Sequence, residues 1–243
     1  MLVLMTDFGP NGPYLGQMQA VLYREAPGVP VVSLFSDAPR CNPRASAYLL
    51  AAYTGEFPAG TVFVAVVDPG VGTATRRPLM LEADGRWYVG PDNGLLELVK
   101  RRAAACRCWH IRWQPPCLSA SFHGRDLFAP VAARLARGEI PPGEPLDCLR
   151  NDWPDELAEV IYVDHFGNAM TGLRAATVSP DTLIAVGGRQ LHHARTFGAV
   201  APGAAFWYEN ANGLVELAVN QGSATQQLGL VIGTSVRLVA ASD

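Results

Sequence analysis

The stretch TVFVAVVD, residues 61–68, constrains the fold more than any other part of the chain. It is a continuous apolar, β-branched run without alternation. Such a run suits a strand covered on both faces, as in a parallel sheet flanked by helices. The run stops on an acid, and a proline, two glycines and, a few residues on, Arg76 and Arg77 follow it.

The helices that such a strand requires are present as periodicity. After the short apolar run LVLM, residues Tyr14, Met18, Val21 and Leu22 recur on one helical face. VPVVSLF reads as the next strand. In NPRASAYLLAAYTG, Asn42 can cap a helix, Pro43 fits its first position, and Gly55 suits a left-handed close. PLMLEADGRWYV reads as a hairpin turning at Asp84-Gly85, which tolerate positive φ. Leu127, Phe128, Val131, Ala132 and Leu135 form a further helical face, stopped at Gly138. Strands alternating with helices predict an α/β domain over residues 1–140.

GEIPPGEPLD is rich in proline and glycine, and it separates two textures. Residues 141–156 are therefore expected to be a linker, with a second domain over 157–243. There the helical signals fade. EVIYVD, TLIAVGG, LVELAVN and SVRLVA are short β runs punctuated by glycine, as in a small sandwich or barrel.

Composition narrows the class of function. Hydrophobic residues make up 49% and charged residues 17%, with a formal net charge of -3. This supports an ordered globular chain without a field that would hold nucleic acid or anionic lipid, so neither is an expected partner. The N-terminus MLVLMTDFG has neither a basic leader nor a run long enough to span a bilayer, and a cytoplasmic location is expected. Cys41, Cys106, Cys108, Cys117 and Cys148 are odd in number and irregularly spaced, which is no disulfide framework. The C-x-C pair in CRCW lacks a partner pair at zinc-ligand spacing and is read as strand packing.

Polar groups collect at the ends of apolar runs: Asp7, Asp68, Asp92 with Asn93, His123 and Asp164. Each alone is read most simply as a cap or turn residue. Together they suggest a site, because ligands of parallel α/β sheets bind outside the carboxyl ends of the strands. Arg76 and Arg77 are both candidate cations facing Asp68.

Six blocks, TDFG, VVDPGVG, GPDNGLL, FHGRDLFAP, DHFGN and LVELAVNQGSA, occur in this order over nearly the whole chain. The set resembles the S-adenosyl-L-methionine hydroxide adenosyltransferases, relatives of the fluorinating and chlorinating enzymes. The resemblance implies an N-terminal three-layer α/β/α domain followed by a smaller C-terminal β-barrel. It also implies a homotrimer whose substrate lies between the large domain of one protomer and the small domain of its neighbour. The implied reaction is attack by water or hydroxide on C5′ of S-adenosylmethionine, giving adenosine and L-methionine without metal or cofactor. The implied catalytic set is Asp68, Arg76 and His123, with Arg76 preferred over Arg77. Asp7 would bind the ribose hydroxyls, Asp164 the methionine ammonium and Asn168 the nucleoside. Phe122 and Phe166 would be apolar walls, Phe197 an adenine-stacking ring, and Asn220 part of the border of the base.

Three rival readings accompany this one. A halogenase would use the same substrate, but by resemblance such enzymes carry tyrosine in place of Asp68 and a tyrosine-serine pair in place of His123-Gly124. A metal-dependent phosphohydrolase would use Asp7, Asp92, His123 and Asp126 as ligands. A protein that binds S-adenosylmethionine without turnover would need only Asp7, Asp164 and Asn168.

Overall fold

The computed structural model describes residues 1–73, 76–147 and 152–240. It is a mixed α/β structure with a large N-terminal sheet and smaller C-terminal sheets. Two compact units divide at Asp152 and Trp153.

The first unit runs β1 (Leu2–Thr6), α1 (Pro13–Glu25), β2 (Val31–Phe35), α2 (Pro43–Tyr53), β3 (Val62–Val66), β4 (Pro78–Ala83), β5 (Arg86–Pro91), α3 (Glu97–Arg102), β6 (Cys106–Ile111), α4 (Ala129–Ala136) and β7 (Gly143–Pro145). Among the described residues its sheet has seven strands in the order β2-β1-β3-β5-β4-β6-β7. The pairs β1/β2, β1/β3 and β3/β5 are parallel, and the rest are antiparallel. The unalternating run of residues 62–67 is buried on both faces. Leu2, Leu4, Val62 and Val64 join one core with Met18 and Leu22 of α1 and Val131 and Leu135 of α4. Each fully buried aliphatic side chain of this kind contributes about 1.5–3 kcal/mol.

Local chemistry sets the element ends. Asn42 accepts a hydrogen bond from the Ala45 amide at 3.0 Å and Pro43 opens α2. Asp84 and Gly85 turn the β4-β5 hairpin at φ 47° and 75°. Two expectations are corrected. Gly55 is outside the left-handed region, because α2 tightens into a 3-10 turn over Thr54–Glu56 instead of closing there. Tyr14 is 51% exposed, although Met18, Val21 and Leu22 on the same helix are buried. At the first turn of α1 its ring leans on Phe8 and Phe122 rather than on the core.

The second unit contains β8 (Leu157–Val163), β9 (Ala169–Arg174), β10 (Leu183–Val186), β11 (Arg189–Leu191), β12 (Ala205–Glu209), β13 (Leu214–Val219), α5 (Ala224–Leu228) and β14 (Arg237–Val239). Its strands form two open sheets, β12-β13-β9-β8 and β11-β10-β14. No closed sheet is found among the described residues. Isolated bridges, Glu159 to Ser235 and His193 to Trp207, and backbone hydrogen bonds beside them join the sheet edges. The short helix α5, absent from the sequence expectation, is capped by Ser223 and ended by Gly229 at φ 65°.

Cys41, Cys106 and Cys117 are free, and Cys148 lies outside the described residues. Cys108, expected only to pack on its strand, is disulfide-bonded. No helix among the described residues is long and apolar enough to cross a membrane.

Candidate active site

The strand order creates the site. The chain passes from β1 to β2 on one side and returns to place β3 on the other, so β1/β3 is a topological switch point, where a crevice opens at the carboxyl ends of the strands. Thr6 lies opposite Val66 in this parallel pair, and Asp7 and Asp68 follow directly from these strands. Both line a cleft together with Phe8, Cys41, Phe122 and His123.

Asp68 and Arg76 form an ion pair, with Arg76 Nε 3.0 Å from Asp68 Oδ1 and the Asp68 side chain only 3% exposed. The Gly70 amide donates to the same oxygen at 3.2 Å. Asp68 Oδ2 is buried with no hydrogen-bond partner. Burial pushes the Asp68 carboxyl above its ordinary value, opposed by Arg76, the Gly70 amide and His123. An unsatisfied buried acceptor is costly, so its presence in a cleft points to a ligand or water that completes it.

Gly70 and Gly72, ahead of Arg76, are tightly packed. A Cβ at Gly70 would overlap the Arg76 guanidinium, and one at Gly72, whose φ is 80°, would overlap the Ala120 carbonyl. The second clash shows how closely Gly72 approaches the segment that delivers Phe122 and His123. His123 precedes a π-helical turn, Gly124–Phe128, which continues into α4. Arg77 faces elsewhere: its Nε donates to Asp92 Oδ2 at 2.9 Å.

Asp7 Oδ2 accepts the Cys41 amide at 2.8 Å. Cys41 adopts φ 52°, an uncommon conformation for a residue with a Cβ. Phe122 meets Phe8 and Tyr14 edge-on, with ring centroids 5.7 and 5.3 Å away.

The remaining candidates belong to the second unit. Asp164, Phe166, Asn168 and Phe197 line a broad, open pocket with Tyr208 and Gln221. In the β8-β9 turn Asp164 Oδ1 accepts the Asn168 amide at 2.8 Å and Oδ2 accepts Asn168 Nδ2 at 2.9 Å. Asn168 Oδ1 is buried without a partner. Phe166 is 75% exposed. Asn220 is buried and uses its side-chain amide to donate to the Val200 carbonyl at 2.7 Å, while its neighbours Val219, Gln221 and Gly222 line the pocket.

Sequence reasoning missed Phe8, Cys41, Tyr208 and Gln221 as lining residues. Tyr208 sits on a strand that had not been recognised, and nothing in the sequence distinguishes Cys41. The four ligands of the phosphohydrolase reading do not share a cavity: Asp7 and His123 line the cleft, Asp92 pairs with Arg77 and Asp126 with Arg125. No group of three His, Cys, Asp or Glu side chains that could hold a metal ion occurs among the described residues.

Comparison with known proteins agrees with this architecture. Residues 2–144 match the SAM hydroxide adenosyltransferase N-terminal domain, and residues 158–237 match the corresponding C-terminal domain. An (R)-S-adenosyl-L-methionine hydrolase of Thermus thermophilus is 43% identical, over 97% of this chain and 98% of that protein. A fluorinase of Actinopolyspora mzabensis is 25% identical, over 98% of this chain and 96% of its own. The crystal structure of an uncharacterized conserved protein from Thermotoga maritima superposes with a TM-score of 0.88 at 29% identity, covering 98% of this chain and 100% of that one.

Proposed function

The chain belongs to the SAM hydroxide adenosyltransferase family, and from that premise we propose that it hydrolyses S-adenosyl-L-methionine at C5′ of the ribose. The oxygen of water bonds to C5′, the C5′–S bond breaks, and its electron pair neutralises the sulfonium to give L-methionine. One proton is released and adenosine remains.

The observation that carries this reading is the buried, unpartnered Oδ2 of Asp68 beside Arg76, in a cleft shared with His123. Water is a poor nucleophile with a pKa of about 15.7, so positioned acceptors must activate it. Asp68 Oδ2 takes the hydrogen bond of the attacking water, His123 is the second proton acceptor, and Arg76 offsets the negative charge on the hydroxide-like oxygen beside the carbon under attack. Attack on a sulfonium by a hydroxide-like nucleophile neutralises two charges, which a site that excludes water favours.

Asp7 holds the ribose hydroxyls, and Phe122 is a wall of the cleft. Asp164 binds the methionine ammonium, Asn168 the nucleoside through its open Oδ1, Phe166 and Phe197 the apolar faces, and the segment at Asn220 borders the base. These two sets fall in different units, and Phe166 is an uncovered aromatic ring. Both features support a homotrimer in which each substrate is enclosed by the first unit of one protomer and the second unit of its neighbour. We read the second unit as an incompletely closed barrel whose seams are the two isolated bridges. A cytoplasmic enzyme that needs neither metal nor cofactor completes the reading.

The acidic residue also argues against a halide nucleophile. A carboxylate about 4 Å from a halide costs about 4 kcal/mol at an effective dielectric near 20, roughly a thousandfold in binding, of which Arg76 recovers a part. Incubating the purified protein with S-adenosylmethionine should yield adenosine and methionine in equal amounts, undiminished by a chelator. Bound but unchanged substrate, or a 5′-halogenated nucleoside formed when chloride or fluoride is added, would overturn the reading.

A further inference from the structure

Arg76 and Arg77 are neighbours in the chain yet serve different carboxylates, and one residue separates them. Asp92, at the end of β5, takes Arg77 Nη2 on Oδ2 at 2.6 Å and Arg77 Nε at 2.9 Å. Its backbone carbonyl accepts Arg76 Nη1 at 3.1 Å, and its amide donates to the Arg77 carbonyl at 2.9 Å. The next residue, Asn93, donates from Nδ2 to the carbonyl of Val67, immediately before Asp68, at 2.8 Å. The dipeptide Asp92-Asn93 thus grips both sides of the Asp68–Arg76 pair.

Resting on the hydrolase reading, we propose that Asp92 is a positioning residue that sorts the two arginines. Its carboxylate retains Arg77, its carbonyl directs Arg76, and only Arg76 reaches Asp68. The pattern has a physical reason. The Arg77–Asp92 pair anchors the backbone of Asp92, and with it the carbonyl that directs Arg76, so losing either partner lets Arg76 drift from Asp68 and removes the cation that favours its ionised form. Arg-carboxylate pairing with defined geometry is a strong way to fix such an anchor.

Charge alone and positioning make opposite forecasts, which allows a clean test. The groups facing Asp68 are Arg76 and His123, with Asp7 and Cys41 in the same cleft. Asp92 faces Arg77 and His110, with Glu97 and Lys100 in the cavity beside it. If Asp92 and Arg77 act on Asp68 only through their charges, Asp92→Asn lowers the Asp68 titration and Arg77→Gln raises it. If they act by placing Arg76, both variants misplace it and both raise the titration.

The experiment follows the Asp68 carboxyl by 13C NMR in the substrate-free protein, assigned with Asp68→Asn, and measures hydrolysis in parallel. Both variants are expected to raise the Asp68 titration and to lower kcat about a hundredfold with little change in KM, the scale of a misplacement near 1 Å. Shifts in opposite directions, or reduced Tm with an unmoved Asp68 titration, overturn the sorting role. A wild-type protein that does not hydrolyse S-adenosylmethionine, while both variants raise the titration, overturns the hydrolase reading and leaves the sorting role standing.

Discussion

Arg76 Nε lies 3.0 Å from Asp68 Oδ1, and the other oxygen of that carboxylate is buried with nothing bonded to it. One oxygen is therefore committed to the cation and one is open for water. Asp68→Asn keeps the shape and removes the carboxylate that can take a proton. Turnover should fall by about two to four orders of magnitude while calorimetry still detects substrate binding. Because burial raises the Asp68 carboxyl above 3.8, activity should disappear on acidification at a higher pH than an ordinary aspartate would give. Near-normal turnover of the variant would remove Asp68 from the mechanism.

Gly70 is required by the guanidinium rather than by its own backbone. An added methyl would overlap Arg76 Nη2, the far end of a flexible side chain, so the arginine moves and the fold survives. Gly70→Ala should leave Tm within a few degrees of the wild type and lower kcat about a hundredfold. Unchanged kcat in steady-state assays would show that Arg76 need not stand where it does.

Asp7 accepts the Cys41 amide through one oxygen, and the same residue faces the cleft. Asp7→Ala should weaken substrate binding by about ten- to a hundredfold, as loss of a charged hydrogen-bond acceptor does, with the pH profile of turnover unaltered. An unchanged dissociation constant would contradict its assignment to the ribose hydroxyls.

Glu216, 2% exposed on β13, accepts Tyr208 Oη–H at 2.7 Å and Asn210 Nδ2 at 2.8 Å. Burial pushes its carboxyl above 4.5, with Asp164 adding to the rise. A folded state that binds this proton more tightly than the unfolded chain loses stability as pH rises from the unfolded value through the folded one. Glu216→Gln carries no such proton, so its Tm should gain on the wild type across that interval. A Tm difference that is constant with pH would contradict the assignment.

Much of this was legible in the sequence because it depends on local pattern. The unalternating run to Val67 required helices on both sides, and Asn42-Pro43 and Asp84-Gly85 fixed a helix start and a hairpin. Polar residues at the ends of apolar runs point to a crevice from pattern alone. What parts Arg76 from Arg77 was not legible, because it involves contacts with Asp92, fifteen residues beyond Arg77 and just past the end of β5. Tyr208 and Gln221 were likewise hidden: the first lies on an unrecognised strand and the second takes φ 55° in a turn. The open sheets of the second unit depend on which edges meet, and short β runs do not encode that choice one at a time.

The central claim is that water, held at Asp68, attacks C5′. Turnover of S-adenosylmethionine in H2 18O tests it most directly, with the products read by mass spectrometry. The account predicts adenosine carrying one heavy oxygen at its 5′-hydroxyl and unlabelled methionine. Adenosine without the label, or label appearing only in methionine, would contradict it.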